Sequence, residues 1–393
     1  MRSFVRRSIA WTALAAALLT AAAGLSQAQP AATETPAADL KARIAEYKVK
    51  LAEYKKAREA YEKEAAPYWK SVSAKRAQRR KKRTRTLDDY VLEQPPLYAG
   101  PPEPVDPEAE GKPRVVPVVA DFLANAKEQF GFVPQTPASE MDFKRAYAKV
   151  AAAAGLSKET CVRVYGFEAT GNGRHDVQAG LEYGKPGERA ISTALGYNQL
   201  LTTNTVGLMA ESGDRFVAAL RKKADGADGA RKAELEATIA VLGKMIRFAR
   251  SVPNDWSEHG KLAKTPKGIG LHALNLDIDV GPLLQTQKLM DSVEFAKRKG
   301  YDKPLSAAEL EMMNLTGDGN GFDMVTLPAE MREKVPTSNF FQQGGYERNP
   351  VAIRNNTVAK LIAETDATME EQMKLPGALE LAAAFDQLAH AGD

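Results

Sequence analysis

Leu156-Ser-Lys-Glu-Thr-Cys-Val-Arg-Val-Tyr-Gly-Phe-Glu168-Ala-Thr-Gly171 opens the stretch that decides the reading, and Ala194-Leu-Gly196-Tyr-Asn-Gln199 closes it. Ser157 is a favourable helix N-cap, and Glu159 puts a carboxylate in the first turn, where the macrodipole favours it. Cys161, Val164, Tyr165 and Glu168 recur at helical spacing, and Gly171 and Gly173 end the run. Glu168 therefore falls at the C-terminal end of an apolar helix. The dipole there repels negative charge, and Tyr165 and Phe167 offer no solvation, so both effects raise a carboxyl pKa. That is what a general acid working near neutral pH requires. The same placement also suits a glutamate that caps or ion-pairs within a core helix.

The pattern of Glu168, a turn, and then Gly196-Tyr197-Asn198-Gln199 resembles the soluble lytic transglycosylases of the lysozyme-like superfamily, where a catalytic Glu precedes Gly-Leu-Met-Gln. Three further stretches follow in the family's order over roughly residues 140 to 365. Asn275-Leu-Asp-Ile-Asp-Val-Gly-Pro-Leu-Leu is similar to its Asn-Ile-x-x-Gly-x-x-Tyr-Leu motif, and Met313-Asn314-Leu-Thr-Gly317-Asp-Gly319 to its Ala-Tyr-Asn-Ala-Gly-x-Gly turn. Val335-Pro336 to Phe341 sits where the family has Pro-x-x-Glu-Thr-Arg-x-Tyr-Val. The family's Tyr before the Asn is Met313 here, and its Glu-Thr-Arg is missing, leaving Phe340 and Phe341 as core plugs. The resemblance implies cleavage of the β-1,4 bond between N-acetylmuramic acid and N-acetylglucosamine in peptidoglycan, with Glu168 as the single catalytic acid. It also implies a cleft in which Gly196 lets the backbone approach substrate, Gln199 and Asn198 contact it, and Asn314 fixes the loop beside the acid. No cofactor or metal is implied.

Residues 170–189 carry four glycines and Pro186-Gly187, which predicts a loop or small β-hairpin forming a wall of that cleft. Gln199 follows Glu168 by 31 residues, longer than the family pattern, and this polar arm holds the excess. Asp176 and Glu182 are the candidates for the second carboxylate of a hydrolytic lysozyme, and Gln178 for a contact to an N-acetyl group. Two alternatives thus accompany the transglycosylase: a lysozyme-type hydrolase using Asp176, and an inactive glycan- or wall-binding protein of the same fold. Trp256 reads as a sugar-stacking or a surface-packed residue, and Tyr346 as one reaching the cleft rim.

Arg2, Arg6, Arg7, the apolar run Ile9 to Leu25, and Ser26-Gln27-Ala28 read as a secretory signal over residues 1–28. An uncleaved anchor competes, since the run approaches the ~18 residues needed to span a bilayer. The expected location is periplasmic or secreted. Cys161 is the only cysteine, so no intramolecular disulfide framework exists, and four scattered histidines lack ligand spacing.

From Asp39, apolar residues at Leu40, Ile44, Tyr47, Leu51, Tyr54, Tyr61, Ala65 and Tyr68 predict a heptad seam over an arm spanning 30–90, coiled-coil-like or packed on the domain. Eight cations between Lys75 and Arg85 suit an anionic membrane or wall polymer, at ~1 kcal/mol per basic residue near a charged surface, or a solvated helix extension. Nucleic acid is not an expected partner of an exported chain. Prolines 95, 96, 101, 102, 104, 107, 113 and 117 define an extended linker over 91–117. No core pattern crosses it, so the predicted domain is 118–393: mainly α, lysozyme-like, with a small β-hairpin, preceded by the helical arm. With 44% hydrophobic residues the chain can bury a sizeable core, and its net charge of +4 comes from the basic run.

Overall fold

The computed structural model describes residues 36–82, 84–108, 116–181 and 190–390. The signal read over 1–28 and Glu182 lie outside the described residues.

Sixteen α-helices form among the described residues, and seven of them begin with a side chain that takes up a free N–H of the first turn. Helix α1 (Pro36–Arg79) carries Asp39 at its start and Arg76 and Arg79 at its end, matching the macrodipole. Then come α2 (Val119–Phe130), α3 (Glu140–Ala153) and α4 (Lys158–Glu168). Ser139 and Ser157 cap α3 and α4 by accepting from Asp142 and Thr160. Helices α5 (Thr202–Asp225) and α6 (Gly229–Ala249) pack on each other, followed by the short α7 (Trp256–Leu262) and α8 (Pro266–Leu271). The Asn275 stretch opens α9 (Gly281–Arg298): the Asp277 carboxylate accepts the N–H of Asp279 and Val280, and also of Gln135. Helix α10 (Ala307–Thr316) begins with a reciprocal Ser306–Glu309 capping box. The chain ends through α11 (Asp318–Val325), α12 (Ala329–Arg332), α13 (Gln343–Glu347), α14 (Pro350–Arg354), α15 (Val358–Gln372) and α16 (Pro376–His390).

These helices bury three apolar clusters. Phe122, Val206, Leu242, Leu271 and Leu284 represent the first, built from α2, α5, α6, α8 and α9. Phe143, Tyr147, Cys161, Tyr165 and Leu381 represent the second, between α3, α4 and α16. The third gathers Met312, Met324, Phe340, Phe341 and Tyr346 with Tyr61, Ala65, Trp69 and Val72 of α1. Helix α10 spans the last two, placing Ala307 and Ala308 in the second and Met312 in the third.

Of the loop or small β-hairpin expected after Glu168, the described residues up to Leu181 form turns with isolated bridges, Gln178 with Leu195 and Leu195 with Leu200, and residues 182–189 lie outside the described residues.

The arm and linker also differ from expectation, since core contacts do cross the proline-rich segment. Tyr61, Ala65, Trp69 and Val72 are buried, as are Tyr90 at the end of the arm and Val91 at the start of the linker. The basic run faces inward rather than outward. Arg76 donates to the carbonyls of Asn339 and Phe341, and Arg79 pairs with Asp323 at 2.8 Å while donating to the carbonyls of Asp89 and Asn339. Arg85 reaches the same Asp323, Lys82 pairs with Asp89, and Lys75 donates to the carbonyls of Asp88 and Tyr90. Five of the eight cations are therefore spent on the protein itself, while Arg80 and Lys81 are exposed.

Along the rest of α1 the seam meets no second long helix among the described residues. The proline-rich segment doubles back on it instead. Tyr68 donates to the Glu93 carbonyl and Tyr61 to that of Pro96, the Tyr98 ring meets Tyr61 and Tyr54, and a groove of about 570 Å³ separates Arg43, Tyr47 and Lys50 from Pro101, Pro104 and Pro107. Extended proline-rich chain advances ~3.1 Å per residue and an α-helix ~1.5 Å, so each strap residue keeps pace with two helical ones.

Candidate active site

Glu168 is the last residue of α4, and the backbone just beyond it is pinned. Thr170 and Gly171 both take positive φ, at 56° and 66°, an uncommon conformation for the threonine. A Cβ on Gly171 would lie 2.6 Å from the Gln372 carbonyl oxygen, so the turn sits directly on the α15–α16 connection. Asn172 Oδ1 accepts the Gly377 N–H there, and the Tyr165 hydroxyl donates to the Gly173 carbonyl at 2.6 Å. The acid is thus set on a rigid corner rather than a free loop.

Opposite it stands the last turn and a half of α10. Asn314 Nδ2 donates to Glu168 Oε1 at 2.5 Å, joining two residues 146 apart in the chain. One turn earlier on the same face, Glu311 brings a second carboxyl into hydrogen-bond contact with Glu168. Glu311 is 2% exposed, and Glu168 is mostly buried. Burial pushes the Glu168 carboxyl up to about 7, against the hydrogen bonds from Glu311 and Asn314 and the charge of Lys288 on α9, which pull it down. Burial and the neighbouring Glu168 raise Glu311 well above the usual carboxylate range. One turn beyond Lys288, burial lifts Asp291 to about 6 even though Gln287 donates to it. Two carboxyls, an amide and a lysine drawn from α4, α10 and α9 form a corner able to hold and pass a proton near neutral pH.

No family model, no curated protein and no solved structure matches this chain.

Of the residues singled out from sequence, Glu168 and Asn314 meet; the contacts of the others lie elsewhere. Gly196, at φ 82°, leaves room for Gln285: a Cβ there would come 2.5 Å from Gln285 Nε2. Asn198 is buried, receives Gln285 Oε1 at its own N–H, and donates from Nδ2 to the Gln285 carbonyl. Gln199 donates to the Gly196 and Val177 carbonyls, closing its own turn. Gln178 is buried and donates to the carbonyls of Pro117 and Ser192, tying the linker's end to the arm. Asp176 pairs with Arg174 at 3.4 Å. Gln285 is the hub of this turn, joined in turn to Asn275. Close by, the buried His272 lies between Thr205 and the Thr193 carbonyl.

Trp256 is 59% exposed at the start of α7, and Tyr346 is buried in the third cluster rather than at a cleft rim. Among the described residues no three His, Cys, Asp or Glu side chains gather to hold a metal, and Asp323 of α11 is taken by Arg79 and Arg85.

Sequence reasoning missed Glu311, Lys288 and Asp291. Glu311 carried a readable signal: a carboxylate three residues before Asn314, flanked by Leu310, Met312 and Met313, must share the asparagine's helix face and be buried with it.

Proposed function

We propose that this chain is an exported glycan-cleaving enzyme of the lysozyme-like kind, a lytic transglycosylase acting on peptidoglycan with Glu168 as its acid. The contact between Glu168 and Asn314 carries this reading, because it joins two residues from motifs 146 positions apart in the chain at one buried carboxyl. The burial that raises Glu168 to about 7 supports it further, since an acid that must first give and then take a proton works best near the ambient pH.

In the proposed reaction the Glu168 proton passes to the oxygen leaving the muramic acid C1. Glu168, now a carboxylate, removes the proton of the same sugar's 6-hydroxyl as that oxygen bonds to C1, giving an anhydro product and restoring the acid. Asn314 holds Oε1 in place throughout. A hydrolase finds less support, because Asp176 is paired with Arg174.

Mass analysis of products released from purified peptidoglycan tests the proposal. Wild type should yield anhydro ends, and Glu168→Gln should lose ~10²–10⁴-fold in rate while melting no earlier, because a buried carboxyl is replaced by an isosteric neutral amide. Reducing ends would point to hydrolysis, and full activity in the Gln variant would remove Glu168 from the chemistry.

A further inference from the structure

The buried carboxyl of Glu311 has no part in that scheme, yet its surroundings are unusual. A buried acid is ordinarily matched by a cation or by several donors. Glu311 faces another carboxyl, Glu168 on α4, together with the Asn314 amide on its own helix and Lys288 on α9. Several other charges on the elements packed around it are engaged elsewhere, Asp291 of α9 accepting from Gln287. Glu309 pairs with Arg332, Asp318 of α11 accepts from Ser292, and Asp366 and Glu370 of α15 both bind Arg163. Two carboxyls can hydrogen-bond to each other only if one keeps its proton, and like charges at that range cannot both ionise freely.

We propose that Glu311 is a positioning residue for the acid: it keeps its proton, donates it as a hydrogen bond to Glu168, and with Asn314 fixes the orientation of the Glu168 carboxyl. This rests on Glu168 being the acid. As Glu168 gives up its proton and becomes charged, the bond from Glu311 becomes charge-assisted and strengthens, so it favours the transition state over the ground state. Glu311 itself ends each turnover with the proton it began with.

The test compares wild type, Glu311→Gln and Glu311→Leu by carbon-detected NMR titration of labelled glutamate carboxyls, alongside kcat and KM against pH on peptidoglycan fragments. Leu removes the donor, so the Glu168 titration should move up by about one unit and kcat should fall at least about tenfold with KM little changed. Gln, whose amide donates the same bond, should restore both. A Glu168 titration unmoved in the Leu variant, or a Gln variant as impaired as Leu, would overturn the proposal. If the Leu variant does not fold, the Gln variant decides alone: its Glu168 titration and kcat must stay near wild type, and a shifted Glu168 titration with a kcat lowered at least about tenfold would overturn the proposal. Should wild type cleave nothing, the glycan reading falls on its own, and the titrations still uphold or sink the carboxyl pair.

Discussion

Glu168 and His272 pull stability in opposite directions with pH. In the folded chain Glu168 is raised from its ordinary 4.5 to about 7, so between those values the folded state binds a proton that the unfolded chain has released. Its contribution is complete below about pH 4.5 and is lost as pH rises through about 7. Asp277 and Asp291, both raised to about 6, act with the same sign. His272 is lowered from 6.5 to about 4 by burial, so its contribution is present above pH 6.5 and is lost as pH falls toward 4. Urea unfolding at pH 5 and pH 8 should therefore show wild type losing stability toward pH 8, and Glu168→Gln losing less by up to roughly 3 kcal/mol. Equal losses in the two proteins would mean that folding leaves the Glu168 proton undisturbed. At this scale the raised carboxyl of Glu168 was legible because a helix end and its apolar neighbours are local features. The contacts of Gly196 and Asn198 were not legible, because Gln285, which meets both, lies more than eighty residues downstream and carries no local mark.

Helices were the more readable elements, since Ser139, Ser157 and Ser306 announce their starts and apolar spacing announces their faces. The seam of α1 was equally plain, but a seam says only that something covers it. Nothing in its spacing distinguishes a second helix from a proline strap, and the strap's tyrosines look no different from surface residues. The two halves of α1 should differ sharply when cut. Removing residues 36–57 takes away half-exposed seam positions and leaves the Arg58–Glu347 pair and everything beyond it. Removing 36–94 strips Tyr61, Trp69 and Tyr90 from the third cluster, and with them the bonds of Arg76 to Phe341 and of Arg79 to Asp323. Each large aromatic buries ~150–250 Å², worth roughly 4–6 kcal/mol at about 25 cal/mol per Å², and a whole protein is stable by only ~5–15 kcal/mol. The short truncation should melt within a few degrees of the full chain, and the long one should fail to fold. A long truncation that melts normally would show the strap and helix to be ornamental.

For the molecule as a whole, the boundary drawn from composition at residues 91–117 separates nothing, because the third cluster is completed from the N-terminal side of it. Proline density reports extended chain, and extended chain is as able to lie along a partner as to span a gap. The two-to-one pace of helix and strap ties the lengths of the two segments together. An insertion of seven residues into α1, two helical turns, would slide Tyr54 and Tyr61 about 10 Å past Tyr98 and break the register of their contacts unless the strap also gained three or four residues. Thermal melts of chains carrying one insertion or both should show the pair rescuing what either alone loses, and no rescue would mean the register is loose. Wherever this architecture has changed length over evolutionary time, the two segments must have grown or shrunk in step, about one codon in the strap for every two in the helix.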